Sequence, residues 1–256
     1  MKIKPSLLLL SIAAFTSSAF AASHWSYEGQ QSPEHWGKLS EEFRICHEGQ
    51  YQSPIDITHV IHVIHVIHVI HVIHVNLPDL EIQFHTDTET IVNNGHTIMV
   101  TVRDNDNFLL DDKKFILKQF HFHSPSENHI KGKAFPLEAH FVHSNDSNEL
   151  AVLAVMFEEG EENQALNPLI AAFPTREDHV EVLKQEIDLT KLLPSDQGYY
   201  RFSGSLTTPP CTEGIRWLLM KQPVTLSRAQ LEKFQAALKH ANNRPVQALH
   251  GRMIVD

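Results

Sequence analysis

The sequence predicts a mainly β protein of one domain, with a few helices at its periphery. Three observations carry this reading. From Leu80 onward, short segments of alternating or wholly apolar character follow one another. Polar turns such as Asn93-Asn-Gly95 and Asn145-Asp-Ser-Asn148 separate them, which is the pattern of strands joined by tight connections. Only two stretches carry helical signals, and no linker or change of composition marks a domain boundary.

In chain order, the first element is Met1-Lys-Ile-Lys, the apolar run Leu7–Phe15 and then Ala19-Phe-Ala21. A basic start, a short apolar core and an A-x-A site read as a cleavable signal peptide over 1–21. The run is too short to span a membrane, which takes roughly 20 apolar residues. The mature chain is then 22–256, and no second candidate span follows. Residues 24–46 hold Trp25 and Trp36 in a polar, aperiodic setting, which predicts a lid of chain packed over a sheet. Strands are expected at Leu80–Phe84, Thr97–Val102, Phe115–His123, Leu137–His143 and Leu150–Phe157. Helices are expected at about Ala165–Ala172 and from Ser227, a good N-cap, to about Ala241.

One segment fits no regular element. From His59 to Val75 the chain repeats His-Val-Ile, with His at 59, 62, 65, 68, 71 and 74. A period of three matches neither a strand nor an α-helix. The leading expectation is a surface insertion that leaves the sheet edge as a loop. A metal-capturing tract is the second, and an added edge strand or self-association site the third.

Composition excludes several function classes. The net charge of −10 argues against nucleic acid, because a binder needs a basic face to meet phosphate. No basic amphipathic stretch points to a membrane surface. Cys46 and Cys211 are the two cysteines; in an exported chain an even count favours a disulfide, with two separate buried thiols as the other reading.

The chemistry concentrates in two strands. In Lys118-Gln-Phe-His-Phe-His-Ser124, His121 and His123 stand two apart, so a strand puts both on one face and Phe120 and Phe122 on the other. Pro136-Leu-Glu-Ala-His-Phe-Val-His-Ser144 brings His140 on a second strand that can pair with the first. Facing positions on paired strands are close enough for one zinc to take three imidazoles, and three protein ligands leave an open position. Gln119 and Glu138 each precede a histidine by two and share its face, which suits acceptors for the second ring nitrogen. His143 has the wrong parity and reads as structural or surface. An H-x-H pair alone is more often a polar strand face; the third histidine and the two same-face supports make the metal reading competitive.

Six ordered motifs then carry a resemblance. Gln119-Phe-His-Phe-His123, Glu138-Ala-His-Phe-Val-His143 and Gly204-Ser-Leu-Thr-Thr-Pro-Pro-Cys211 resemble the α-class carbonic anhydrases in their bacterial, exported form. Gln52-Ser-Pro-Ile-Asp56, Asn93-Asn-Gly-His96 and Asn243-Arg-Pro-Val-Gln247 are similar as well. The resemblance covers essentially the whole mature chain apart from the His-Val-Ile tract. It implies a central, mostly antiparallel twisted sheet of about ten strands, with zinc at the base of a conical cleft and His121, His123 and His140 as its ligands. It further implies that Thr207 and Glu127 orient the attacking hydroxide, and that Thr207 and Thr208 line the substrate position. In the same way it makes His96 the proton shuttle and Val142, Val152, Leu206 and Trp217 the apolar wall for carbon dioxide. The implied activity is reversible hydration of CO2 to bicarbonate, with esterase activity as a secondary outlet. The resemblance also implies a Cys46–Cys211 disulfide, a periplasmic or secreted location, and a monomer or homodimer. Departures from the pattern are Met99, where many members carry a polar residue near the shuttle, and Phe202 in place of a tyrosine; Tyr27 is retained. Two other functions compete. A non-catalytic binding module on this scaffold would typically have lost a zinc histidine, and none is missing. A zinc-buffering role would rest on the repeat.

Overall fold

The computed structural model describes residues 24–58, 72–75, 77–85, 88–103 and 106–256. The expected signal peptide, residues 1–21, and most of the His-Val-Ile tract (residues 59–71) lie outside the described residues.

Strands dominate. Thirteen of the described ones form a single sheet, running in space from Val180–Val182 through Thr88–Asn93, Ile98–Val102, Lys113–His123, Leu137–Ser144 and Leu150–Glu159. It continues through Glu213–Met220, Tyr199–Ser205 and Ile254–Val255 to Val72–Ile73. The expected five strands are all present, although Leu80–Phe84 shrinks to Ile82–Gln83. The sheet is mostly antiparallel, as expected, with more strands than the ten expected and a few parallel pairings. Leu150–Glu159 pairs antiparallel with Leu137–Ser144 but parallel with Glu213–Met220.

The central strand shows how sequence becomes a two-faced sheet. Phe115 and Leu117 are buried on the core side, and so are Phe120 and Phe122, although these pairs differ in parity. The pairing register shifts between Leu117 and Gln119 against Leu137–Ser144. One extra residue in a strand re-aims everything after it. The bulge therefore returns Phe120 and Phe122 to the core and turns Gln119, His121 and His123 to the opposite face. Phe120 stacks on Phe141 at 5.2 Å, and Phe122 meets Phe234 at 4.7 Å. Each buried ring stabilises by roughly 1.5–3 kcal/mol relative to exposure, so a slip of register would be expensive.

Both expected helices are present, at Leu166–Ala171 and Arg228–Leu238. They cover the phenylalanine face with Leu166, Leu169, Leu231, Phe234 and Leu238. The second begins at Ser227, whose side chain accepts the Gln230 N–H while Gln230 reaches back, a reciprocal capping box. It ends one turn short of expectation because Lys239 adopts a left-handed φ of 67°.

The N-terminal segment expected as a lid packs its aromatics on one another and around Cys46 and Cys211, and it is not wholly irregular. Trp36–Leu39 and Ile45–Glu48 are single helical turns. Trp36 is fully buried, and its indole N–H donates to the carbonyls of Ser26 and Gln31.

The end of the repeat overturns the loop expectation for that part. Val72–Ile73 pairs in parallel with Ile254–Val255 as the terminal strand of the sheet path. His74 Nδ1 lies 2.5 Å from an Asp256 carboxylate oxygen. A Val-Ile pair has high strand propensity, and an open sheet edge gave it backbone partners.

His143 is structural. It is buried, its Nδ1 lies 2.8 Å from the Phe141 carbonyl, and its ring packs edge-on to Phe108 at 4.4 Å. Burial pushes its pKa down to about 3, whereas an unfolded imidazole titrates near 6.5. The unfolded chain therefore binds the proton first. The stability that rests on neutral His143 is complete above pH of about 6.5 and is lost as pH falls from there towards about 3. In urea titrations between pH 7 and 4, His143→Leu should flatten the acid loss of stability, by up to a few kcal/mol. Parallel pH profiles for wild type and variant would refute this account.

Candidate metal centre and active cleft

Adjacent strands bring the three histidines together. His121 and His140 are directly paired residues of Lys113–His123 and Leu137–Ser144. Their ring centroids are 5.3 Å apart, and His123 lies 5.1 Å from His121 and 4.6 Å from His140. One nitrogen from each ring falls within a common span of 4.8 Å.

Each ring has its other nitrogen engaged from behind. His121 Nδ1 is 2.8 Å from Gln119 Oε1. His123 Nδ1 is 2.7 Å from the Asn242 carbonyl. His140 Nε2 is 2.9 Å from Glu138 Oε1, at ion-pair distance but outside hydrogen-bond alignment. Elimination leaves His121 Nε2, His123 Nε2 and His140 Nδ1 facing the common space. His123 Nε2 is buried without a hydrogen-bond partner, an arrangement that costs free energy unless something fills it. Burial lowers the pKa of all three imidazoles, and at His121 and His140 the neighbouring rings add to the effect. Neutral rings present lone pairs, which is what a cation needs. The donor set fits zinc: three imidazoles and room for a fourth ligand.

The carboxylates behind the rings are held firmly. Glu138 is fully buried and accepts the backbone N–H groups of Glu127 and Asn128 and the side-chain amide of Asn128. Glu127 is also fully buried, with Oε1 accepting the Arg244 N–H at 2.8 Å. Its Oε2 stands 3.5 Å from His123 Nε2 and 3.9 Å from His140 Nδ1. Burial raises the Glu127 pKa, while the Arg244 N–H and the Thr207 side chain work against that rise. Thr207 is buried on the loop after Tyr199–Ser205, with its side chain beside Glu127, whose Oε2 is buried without a hydrogen-bond partner. Gly204 allows that loop its position: a Cβ there would sit 2.1 Å from Ser53 Oγ and 2.8 Å from Trp217.

Comparison with known proteins settles the family. Residues 31–256 match the model of the eukaryotic-type carbonic anhydrases. The chain belongs to the α-class carbonic anhydrases. It is 46% identical over 255 residues to a carbonic anhydrase of Pectobacterium carotovorum, covering all of both chains. It is 43% identical to one of Neisseria gonorrhoeae, over 98% of this chain and 95% of that one. Among solved structures, it is similar to the α-carbonic anhydrase of Thermovibrio ammonificans in complex with the inhibitor sulfanilamide. The TM-score there is 0.85 at 42% identity, over 92% of this chain and all of that one.

In this carbonic anhydrase, Trp217 and Met99 are placed directly beside the histidines among the other residues singled out by the sequence. Val152 and Trp217 belong to one apolar cluster, with Val142 and Leu206 packed against it half-buried. The Trp217 ring meets His140 edge-on at 4.9 Å, so this apolar surface adjoins the histidines. Phe202 stacks on Trp217 at 5.9 Å, which keeps it in that surface without a polar group. The Thr208 carbonyl accepts the Cys211 N–H, closing the Thr207–Cys211 turn. Met99 is paired with His121 across the neighbouring strand. His96 stands in the turn before that strand. Its ring stacks on Trp25 at 3.8 Å, and its carbonyl accepts from Asn242. Cys46 and Cys211 form a disulfide.

Three contributors escaped the sequence reading. The Asn242 carbonyl orients His123, the Arg244 backbone N–H holds Glu127, and Trp25 supports His96. Two of these act through the backbone, which has no side-chain signature. The Asn243-Arg-Pro motif was the only nearby signal. The Arg244 guanidinium, also buried, donates to Gln52 Oε1 and to the carbonyls of Ser53 and Cys46. That side chain ties Cys46 of the N-terminal segment to Gln52 and Ser53.

Proposed function

We propose that this carbonic anhydrase hydrates CO2 reversibly to bicarbonate and a proton, using zinc held by His121, His123 and His140. The observation that carries the reading is the convergence of three neutral imidazoles whose outer nitrogens are occupied by Gln119, Asn242 and Glu138. When bound, zinc supplies a Lewis acid that brings the pKa of a water to about 7, which provides a nucleophile at neutral pH.

The chain's own groups do the rest. Thr207 donates to Glu127 and so presents an oxygen lone pair to the nucleophile, fixing its orientation. The Thr207 N–H and Thr208 hydroxyl meet the developing oxyanion. Val142, Val152, Leu206 and Trp217 offer an uncharged molecule a surface with no competing polar partner. His96, at the mouth, takes the proton outward, as an imidazole with a pKa near neutrality can. Burial and the charges of His24 and His240 lower its pKa, which favours release to solvent. A secondary esterase activity is expected from the same nucleophile.

Residues 1–21 are proposed as a cleaved signal peptide and 22–256 as the mature catalytic domain, in the periplasm or outside the cell. The Cys46–Cys211 disulfide supports an oxidising compartment. Among the described residues no helix is long and apolar enough to cross a membrane.

Stopped-flow CO2 hydration tests the proposal. A preparation with one zinc per chain should be active, lose activity on chelation, and be inhibited by an aromatic sulfonamide. A fully loaded preparation without activity would sink the reading.

A further inference from the structure

The C-terminal strand offers a seat to a short piece of the His-Val-Ile tract. Val72–Ile73 pairs in parallel with Ile254–Val255, with Ile254 facing Val72 and Val255 facing Ile73. Backbone bonds extend the ladder. The Asp256 N–H donates to the Ile73 carbonyl at 3.1 Å, and the Val75 N–H donates to the Asp256 carbonyl at 2.9 Å. Val72 is buried in the apolar cluster that holds Tyr200, Leu219 and Ile254. The His74 ring meets one oxygen of the Asp256 carboxylate, whose other oxygen pairs with Lys221 at 3.2 Å. Ile73 and Val75 alternate with these and stay exposed.

The four seated residues read Val-Ile-His-Val, and the tract spells that tetrapeptide five times, at 60–63, 63–66, 66–69, 69–72 and 72–75. We infer that the seat recognises the unit and not its position, so that the four upstream copies are alternative occupants and the edge strand slides in steps of three residues. Smaller slips are excluded by the side chains. A shift of one residue would set His71 in the buried place of Val72 and Ile73 beside the Asp256 carboxylate. A shift of three returns valine, isoleucine and histidine to the same places and remakes every backbone bond. Register is weakly specified where the pattern repeats itself in this way.

The connections on either side accommodate the exchange. Each step transfers three residues from the stretch between Ile57 and the seat to the stretch after the seat. Residues 58–71 supply the first stretch. In the second, the Leu77 N–H donates to the Val75 carbonyl at 3.0 Å, and the Tyr199 hydroxyl donates to the Pro78 carbonyl at 3.0 Å. The Pro78 anchor need not move, because the added residues are taken up between it and the seat. Loop-closure entropy changes only with the logarithm of length, so one or two steps cost little beside a ladder that is remade in full. Damage to a single unit is therefore bypassed by its neighbours.

Val72→Asp, made in two chains, tests this. One is the full chain. The other carries a glycine-serine segment of equal length in place of residues 59–70, which leaves one unit and the same connection length. In the full chain an intact upstream unit takes the seat, and the melting temperature should fall by no more than about 1 °C. In the replaced chain the buried charge has no substitute, and the fall should be roughly 3–8 °C. Amide hydrogen exchange reads the seat itself. Protection of the Asp256 N–H, which donates to the seated strand, should persist in the full-chain variant and disappear in the replaced one. Ile254→Asp in the full chain spoils the seat instead of its occupant and marks the loss that no upstream unit can bypass. Equal falls in the two chains, or a full-chain Val72→Asp that loses the Asp256 protection as Ile254→Asp does, would overturn the interchange. A Val72→Asp change without effect in either chain would overturn the seat.

Discussion

His121→Ala will yield a folded chain that holds zinc poorly and hydrates CO2 roughly 10⁴-fold or more slowly than wild type, because the metal's effect on water acidity is lost with it. Two imidazoles, His123 and His140, would remain, and two nitrogens cannot close a three-ligand site. The fold should survive. His121 faces away from the phenylalanine core, and its strand is held by Phe115, Leu117, Phe120 and Phe122. Metal content by mass spectrometry, hydration rate and thermal melting separate the contributions. The melting temperature should match that of the zinc-free wild type rather than the loaded one, since binding stabilises only the form that binds. Gln119→Ala provides the graded control. It removes the group 2.8 Å behind His121 Nδ1 and should weaken zinc affinity about 10–100-fold while keeping the site. Full activity in His121→Ala would refute the ligand assignment outright.

Loss of the Cys46–Cys211 disulfide should produce the largest change in stability. The bond joins residues 165 apart, and freeing a loop of that length costs up to about 5 kcal/mol on the chain-entropy account. For a chain of this size that corresponds to a fall in melting temperature of roughly 10–20 °C. The local setting adds to the expectation. Cys211 holds a left-handed φ of 58°, and its carbonyl accepts from Gln52. The Cys46 carbonyl accepts from the buried Arg244 guanidinium. Cys46→Ser with Cys211→Ser, compared with reduced wild type, gives the measurement. A change below 1 kcal/mol would mean that these hydrogen bonds suffice to hold the lid.

The site was legible to the extent that its chemistry resides in side chains with a strand's period. His121, His123 and His140, with Gln119 and Glu138, announce themselves by type and parity, because a strand sends every second residue to one face. The parity holds only because all three positions of the first strand follow the bulge at Lys118. A count begun at Phe115 would have placed the phenylalanines on opposite faces. The repeat was misread at its end for a related reason. Its period of three says nothing about pairing, and Val72–Ile73 became a strand only because the edge beside Ile254–Val255 was open. Which strands pair in parallel was not legible either: the parallel pairing of Leu150–Glu159 with Glu213–Met220 joins segments more than fifty residues apart.

By itself, then, the sequence determined the mainly β class, the two helices with the Ser227 cap, the histidine-bearing strands and, through its ordered motifs, the family. Those properties are local: propensity, period and residue type act over a few positions. Only the tertiary structure decided which backbone groups serve the site. The Asn242 carbonyl reaches His123 across 119 residues and the Arg244 N–H reaches Glu127 across 117. Every residue carries such a donor and acceptor, so residue type cannot distinguish the pair that matters; the fold alone selects it.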